Sequence, residues 1–69
     1  MSCKYKRAKA EMILHGYDIK EVARKMNCDP QFLQRRLRGA VELSLDDAVM
    51  FKRAINSNTP LEKLFEVSE

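Results

Sequence analysis

The residues with the most specific chemistry lie in a basic stretch near the middle of the chain. If Leu33 and Leu37 face the interior of a helix, as their spacing of four indicates, the opposite side carries amide and guanidinium groups. Glutamine forms two hydrogen bonds with adenine, and arginine forms two with guanine, at the base edges exposed in the major groove of DNA. The pattern predicts a surface that binds double-stranded DNA. The residues on that side are Gln31, Gln34, Arg35 and Arg38.

Most of these side chains have a predicted contact with a base. Gln31 and Gln34 are predicted to pair with adenine, and Arg35 with the O6 and N7 atoms of guanine. Phe32, beside them, is predicted either to touch a thymine methyl group or to pack against the first helix. The alternative for the polar residues is an ordinary solvated helix surface, since glutamine and arginine are common on exposed surfaces.

Phosphate contacts are predicted from basic residues around the same surface. Arg38 stands at the far end of the helix, and Lys20 lies near the start of the preceding helix, where backbone N–H groups also attract phosphate. The first helix adds Lys4, Lys6 and Arg7, either as contacts to the flanking DNA backbone or as a solvated surface. Such contacts predict binding that depends strongly on salt.

Residues 17–39 are predicted to form two helices and a tight turn that position these side chains. The earlier helix of this pair, Ile19 to Met26, starts with a capping box. The later helix of the pair, 30–38, starts with an acidic cap and a proline. An asparagine in the turn tolerates the left-handed backbone conformation. Helices joined by so short a turn are expected to cross, as in a helix-turn-helix. The residues that carry these signals are Asp18, Glu21, Asn27, Asp29 and Pro30.

The rest of the chain also has helical patterns, so the expected fold is all-α. It is a compact five-helix bundle in one domain, residues 1–69. The first helix is expected from about Cys3 to Leu14, and the fifth from Pro60 to about Val67 after a Thr59 cap. The fourth helix is expected to start after a Ser44 cap. The apolar faces of the first and fourth helices are expected to include Tyr5, Ala8, Met12 and Ile13, and Leu45, Ala48, Val49, Phe51 and Ile55.

Charge is divided unevenly between the two parts of the chain. Residues 1–40 hold ten Lys and Arg against four Asp and Glu, a net charge of +6. Residues 41–69 hold three Lys and Arg against six Asp and Glu, a net charge of −3. A basic part that contains the predicted DNA-binding helix favours a polyanion as partner. The alternative is that these charges form an ordinary solvated surface, which would have the same net charge.

The composition offers no site for catalysis, a metal or a cofactor. Cys3 and Cys28 are expected to be free thiols, with Cys28 as a small apolar filler. One histidine, His15, leaves no zinc ligand set, and no nucleophile pattern or glycine-rich phosphate loop is present. We expect no enzyme activity, no cofactor and no small-molecule ligand. Without an apolar run of roughly 20 residues or a signal-peptide pattern, we expect a cytoplasmic location and no membrane partner.

Residues along most of the chain resemble the phage Cro/repressor family of helix-turn-helix proteins. The similar positions are the pair Val22-Ala23 in the first motif helix, Met26, Cys28-Asp29, Leu33 and Gly39, and the ending TPLEKLFE. Three positions depart from the family pattern. Asn27 replaces a glycine, and Pro30 stands where some relatives have a base-reading glutamine. Arg36 occupies an often apolar position, which leaves the rotation of this helix open.

This resemblance implies a compact five-helix DNA-binding domain that regulates transcription in a bacterial host cell. A bundle of this size offers a limited interface, so we expect a homodimer on a palindromic operator, with half-sites about 34 Å apart. The candidate dimer surface lies in the acidic part of the chain, and the alternative is that these residues only close the core. They are Leu61, Leu64, Phe65 and Val67.

A second class of function uses the same fold to bind protein. An antirepressor or a phage inhibitor of a host complex is expected to present apolar or acidic residues on the second motif helix, where this chain has Gln and Arg. An RNA-binding protein is disfavoured, because the sequence lacks the aromatic platforms that stack single-stranded bases.

Overall fold

The computed structural model describes residues 4–67. This part of the chain is helical and contains no β-strand, which confirms the predicted all-α fold. Its principal dimensions are 29 × 24 × 21 Å, and none of its helices is long and apolar enough to cross a membrane. The helices are α1 at Lys6–Leu14, α2 at Ile19–Lys25, α3 at Pro30–Arg38, α4 at Leu45–Ala54 and α5 at Leu61–Leu64.

The starts of α2 and α3 follow the predicted caps. The Asp18 carboxylate accepts a hydrogen bond from the Glu21 amide at 2.8 Å, and the Glu21 carboxylate accepts one from the Asp18 amide at 3.2 Å. At α3 the Asp29 carboxylate accepts a hydrogen bond from the Gln31 amide at 2.8 Å. Each of these caps stabilises its helix by about 1 kcal/mol. The first residues of α2 and α3 are therefore determined by hydrogen bonds between residues no more than three positions apart in the chain.

The turn between α2 and α3 is built on Asn27. Its φ angle is 59°, in the left-handed region, as predicted. The chain then reverses so that the Cys28 amide donates a hydrogen bond to the Ala23 carbonyl at 2.9 Å. The Cys28 side chain packs against the core, and burial raises the pKa of its thiol. A free, partly buried thiol packed against the core confirms the prediction that Cys28 is a small apolar filler.

The core lies between all five helices and has aromatic side chains at one end. Phe65, just after α5, packs edge-to-face against Tyr5 and Phe51, with ring centroids 5.5 and 5.6 Å apart. Burying one large apolar side chain contributes about 1.5–3 kcal/mol. The largest fully buried side chains are Phe51, Leu33, Ile55, Leu64 and Val22.

The start of α1 differs from the prediction. The helix begins at Lys6, and the Tyr5 amide donates a hydrogen bond to the Leu37 carbonyl at 3.3 Å. The backbone before α1 is therefore bonded to the last turn of α3, a contact between segments far apart in the chain. Cys3, where the helix was predicted to begin, lies outside the described residues.

The fifth helix is shorter than predicted and starts without the predicted cap. It covers Leu61–Leu64, a single turn, and no side chain caps it. The Thr59 hydroxyl instead donates a hydrogen bond to the Glu11 carboxylate at 2.7 Å. The prediction of a Thr59 cap was wrong because the competing acceptor lies 48 residues away in the chain.

Glu11 joins α1 to the segment before α5. Its carboxylate accepts hydrogen bonds from the Ser57 hydroxyl at 2.6 Å, from Thr59 at 2.7 Å and from the Arg7 guanidinium at 3.1 Å. These bonds, the one from Ser57 foremost, hold the pKa of Glu11 below its ordinary value. We call Arg7, Glu11, Ser57 and Thr59 the Glu11 cluster. Charge-assisted bonds to one shielded carboxylate stabilise the bundle.

Two apolar residues predicted to face the core are exposed. Ile13 is 62% exposed because the buried face of α1 ends with Met12. Leu45 is 72% exposed, although α4 starts as predicted with the Ser44 hydroxyl accepting a hydrogen bond from the Asp47 amide at 3.1 Å. As the first residue of α4, Leu45 precedes the part of the helix that contacts the core.

Candidate nucleic-acid interface

Helix α3 separates an apolar side from a polar side. Leu33 is fully buried and Leu37 is 3% exposed, so both face the core as predicted. The four residues predicted to contact DNA are all exposed, and at 3.6 residues per turn they fall within an arc of about 100°. We call this surface the outer face of α3. It consists of Gln31, Gln34, Arg35 and Arg38.

The side chains of the outer face have no partner in the described part of the protein. Within residues 4–67, none of the four forms a side-chain hydrogen bond or an ion pair. Their amide and guanidinium groups are exposed and available to another molecule. Arg35 and Arg38 add positive charge to this surface in the last turn of α3, which favours an anionic partner.

Arg36 faces the protein, which answers the question that its position left open. Its side chain is only 16% exposed, and one guanidinium nitrogen donates a hydrogen bond to the Glu42 carbonyl. The buried Nε atom lies 3.3 Å from an Asp47 carboxylate oxygen, in an ion pair without hydrogen-bond geometry. We call Arg36, Glu42 and Asp47 the Arg36 clamp. It joins α3 to the following loop and to the first turn of α4.

Phe32 lies at the edge of the outer face, held by the same arginine. The Arg36 guanidinium stacks over the Phe32 ring with 4.0 Å between its central carbon and the ring centroid. Phe32 is 42% exposed and does not belong to the hydrophobic core. A ring fixed on one side and open on the other can make an apolar contact with a neighbouring molecule.

Helix α2 adds a basic edge beside the start of α3. Lys20 and Arg24, four residues apart, line an open concavity together with Asn27 and Pro30. Arg24 and Asn27 were not among the predicted contacts. The spacing of four residues nevertheless places Lys20 and Arg24 on one face of the helix. Both basic side chains are exposed and have no ion pair within residues 4–67.

The expected contribution of backbone N–H groups beside Lys20 needs correction. The capping box of Asp18 and Glu21 occupies the N-terminus of α2 with two carboxylates. The Asp18 carboxylate takes up the Glu21 amide, one of the amides that were expected to attract phosphate, and both carboxylates place negative charge there. Positive charge beside the start of α2 therefore comes from the exposed side chains of Lys20 and Arg24.

The three basic residues predicted on the first helix have different surroundings. Lys4 lies against the end of α3, so close that a Cβ atom on Gly39 would be 2.7 Å from the Lys4 Cδ atom. It therefore extends the basic surface next to Arg38. Lys6 is exposed, whereas Arg7 forms an ion pair with Glu11 at 3.1 Å. The prediction that Arg7 contacts phosphate competes with its place in the Glu11 cluster.

The residues predicted to form a dimer surface do not all lie at the surface. Leu64 is fully buried in the core and cannot contact another subunit, so its assignment was wrong. Phe65 is half-buried against the core, as required by the alternative that these residues close the bundle. Leu61 is half-buried and Val67 is 49% exposed. Of the four predicted residues, those with exposed surface for a contact with another subunit are Leu61, Phe65 and Val67.

Comparison with known proteins identifies no relative from which the role of the α2 and α3 residues could be inferred. No model of a protein family, no characterised protein and no solved structure matches this chain.

Proposed function

We propose that this protein is a sequence-specific, double-stranded DNA-binding regulator of transcription, similar in mode of action to phage Cro and repressor proteins. The outer face of α3 carries the proposal. Its four polar side chains share one side of a helix that is anchored on its other side by two buried leucines. Exposed glutamine and arginine in this arrangement have the donors and acceptors to distinguish base pairs in the major groove.

In the proposed complex, α3 enters the major groove with its N-terminal part foremost, and α2 lies across the DNA backbone. Gln31 and Gln34 pair with adenine, and Arg35 pairs with guanine. Phe32 lies at the edge of the same surface, where its open side can contact a thymine methyl group. The Arg36 clamp supports this reading, because it holds α3 against α4 and fixes the direction in which the outer face points.

Basic side chains on both sides of α3 position the protein through phosphate contacts. Lys20 and Arg24 contact the backbone from α2, while Lys4 and Arg38 contact it at the other end of α3. Such contacts contribute affinity for any sequence, and the base contacts then select the operator. Neutralising several phosphates releases counterions, so the affinity falls steeply as the salt concentration rises.

Two copies bind one operator in this proposal. The surface that a single α3 helix presents is limited, and a two-fold arrangement doubles the number of base pairs that are contacted. The half-sites are then inverted repeats about 34 Å apart. Regulation of transcription places the protein with the DNA in the cytoplasm of a bacterial host.

The experiment that tests this function is selection of bound sites from random duplex DNA by the purified chain at low salt. We expect an enriched inverted repeat containing G·C and A·T pairs at fixed positions. A matched selection with Arg35→Glu, whose substitution lies on an exposed position, is expected to enrich nothing. If the wild-type chain also enriches no motif, the proposal fails and the protein-binding alternative is favoured.

A further inference from the structure

A groove between α4 and α5 is a second surface with distinct chemistry. It is an open concavity with a mainly apolar lining and a volume of about 550 Å³. It opens to solvent beside Leu45, which is 72% exposed. No lining residue belongs to α2 or α3. The apolar lining residues are Leu43, Leu45, Ala48, Leu61 and Phe65.

The surroundings of this groove are acidic. Glu62 lines the groove directly. Three further exposed carboxylates adjoin lining residues in the chain: Glu42 beside Leu43, Asp46 beside Leu45, and Glu66 beside Phe65. Within residues 4–67, none of these four carboxylates forms an ion pair. By the same measure Lys63, beside Glu62, is the one basic residue that adjoins a lining residue, so the charge near the groove is predominantly negative.

We propose that the groove binds a basic segment of a partner protein that inserts apolar side chains between α4 and α5. An exposed leucine at the mouth of an apolar groove leaves surface in water that a partner's leucine or phenylalanine would cover. The four unpaired carboxylates complement lysine and arginine on the same segment, which favours encounter with a basic partner over an acidic one.

The charge around the groove argues against the other possible occupants. A contact between two identical copies through this groove is isologous and brings the same acidic residues together from both sides. The proposal therefore assigns the groove residues Leu61 and Phe65 to the basic partner and not to the contact between the two copies on an operator. Nucleic acid and anionic lipid surfaces are repelled by the same carboxylates. A basic protein segment is the occupant that satisfies both the apolar lining and the acidic surroundings.

This proposal does not depend on the proposed DNA binding. The lining residues lie on α4, α5 and the loop before α4, whereas the proposed base contacts lie on α3. A regulator with both surfaces binds DNA with one and a basic partner with the other. Each surface is therefore open to separate mutation and separate measurement.

The test uses the full chain and two fluorescent synthetic peptides of about 12 residues. One carries leucine at i and i+4 with lysine and arginine elsewhere, and the other has the same leucines with glutamate elsewhere. We expect the basic peptide to bind the groove with a Kd in the micromolar range or below. The acidic peptide is expected to bind only the basic side of the protein, so that substitutions in the groove leave its affinity unchanged. The proposal is contradicted if the basic peptide does not bind, or if substitutions in the groove affect both peptides equally.

Two variants connect any binding to the groove. Leu45→Ser and Glu62→Lys are each expected to weaken binding of the basic peptide by roughly tenfold. Leu14→Ser is the matched control, because Leu14 is 80% exposed on α1 and does not line the groove. Circular dichroism checks that each variant is folded.

Sedimentation of the free chain separates the proposal from a contact between copies. We expect no self-association that is sensitive to Leu45→Ser. A dimer that dissociates when Leu45 is replaced shows that a second copy occupies the groove, and the proposal is then wrong. Loss of peptide binding in Leu45→Ser with unchanged DNA binding supports it.

Discussion

Arg35 and Arg36 are neighbours of the same chemical type with opposite surroundings. Arg35 is exposed and has no side-chain partner within residues 4–67, whereas Arg36 is 16% exposed and contacts both Glu42 and Asp47. A rotation of about 100° around α3 separates a side chain available to another molecule from one used to hold the helix in place. Charge alone therefore does not identify a binding residue.

The same contrast separates larger regions. The outer face of α3 is open, because its polar side chains are exposed and have no partner within residues 4–67. The Glu11 cluster and the Arg36 clamp are closed, because their charged groups are bonded within the protein. Substitutions in the open region should change DNA affinity first. Substitutions in the closed regions should lower the free energy of unfolding first.

Reversing charge on the outer face of α3 should have the largest effect. The double variant Arg35→Glu, Arg38→Glu is expected to lose DNA affinity by about a hundredfold or more, since like charges at an interface cost several kcal/mol. Its free energy of unfolding should fall by no more than about 1–2 kcal/mol, because two acidic side chains in the last turn of α3 oppose the helix dipole. Fluorescence anisotropy with the selected duplex and urea unfolding measure the two quantities. A variant that is unfolded without urea would mean that these arginines support the fold.

Removing the clamp should give the opposite result. Arg36→Ala is expected to lower the free energy of unfolding by about 1–2 kcal/mol, because the Asp47 carboxylate and the Glu42 carbonyl lose their partner. Urea unfolding followed by circular dichroism measures this change. Arg35→Ala, one residue away, is the control and should unfold like the wild type. Equal stability of the two variants contradicts the assigned difference between the neighbours.

Most of the helical fold was predictable because its signals are local. The capping box of Asp18 and Glu21 and the left-handed Asn27 depend on residues close together in the chain. The buried side of α3 follows from the spacing of Leu33 and Leu37. These features need no knowledge of the tertiary structure.

The features that were not predictable depend on residues far apart in the chain. Thr59 bonds to Glu11 and not to its own helix, and the segment before α1 bonds to Leu37. The inward orientation of the Arg36 side chain depends on Asp47, which contacts it from α4.

Arg24 is a different case, because the sequence could have indicated it. It lines the same concavity as Lys20, and its spacing of four residues from Lys20 was visible in the sequence.

Substitutions on the basic edge of α2 should have a moderate effect that does not depend on DNA sequence. Lys20→Ala and Arg24→Ala are each expected to weaken binding to all duplexes alike and to reduce the salt slope by about one. The measurement is affinity for the selected and a scrambled duplex over a series of salt concentrations. Lys63→Ala, an exposed lysine on α5, serves as the control. A loss restricted to the selected duplex would instead indicate base contacts.

The Glu11 cluster should produce the smallest effect, confined to acid pH. The folded protein holds the pKa of Glu11 below its ordinary value of 4.5, so the unfolded chain binds the proton first. The stabilisation is therefore complete above about pH 4.5 and is lost as the pH falls through the lower folded value. Urea unfolding at a series of pH values should show this loss in the wild type and less of it in Glu11→Gln. Glu66→Gln, an exposed control, should behave as the wild type.

The central claim is that the outer face of α3 reads base sequence, and the specificity of Arg35 tests it most directly. Affinities of the wild type, Arg35→Ala and Arg53→Ala are measured for the selected operator and for duplexes with each base pair replaced in turn. Arg53 is an exposed arginine on α4. We predict that Arg35→Ala loses about 1–3 kcal/mol on the operator and its preference at one G·C pair of each half-site, while Arg53→Ala retains both. Equal losses in the two variants, or an unchanged base preference in Arg35→Ala, would contradict the claim.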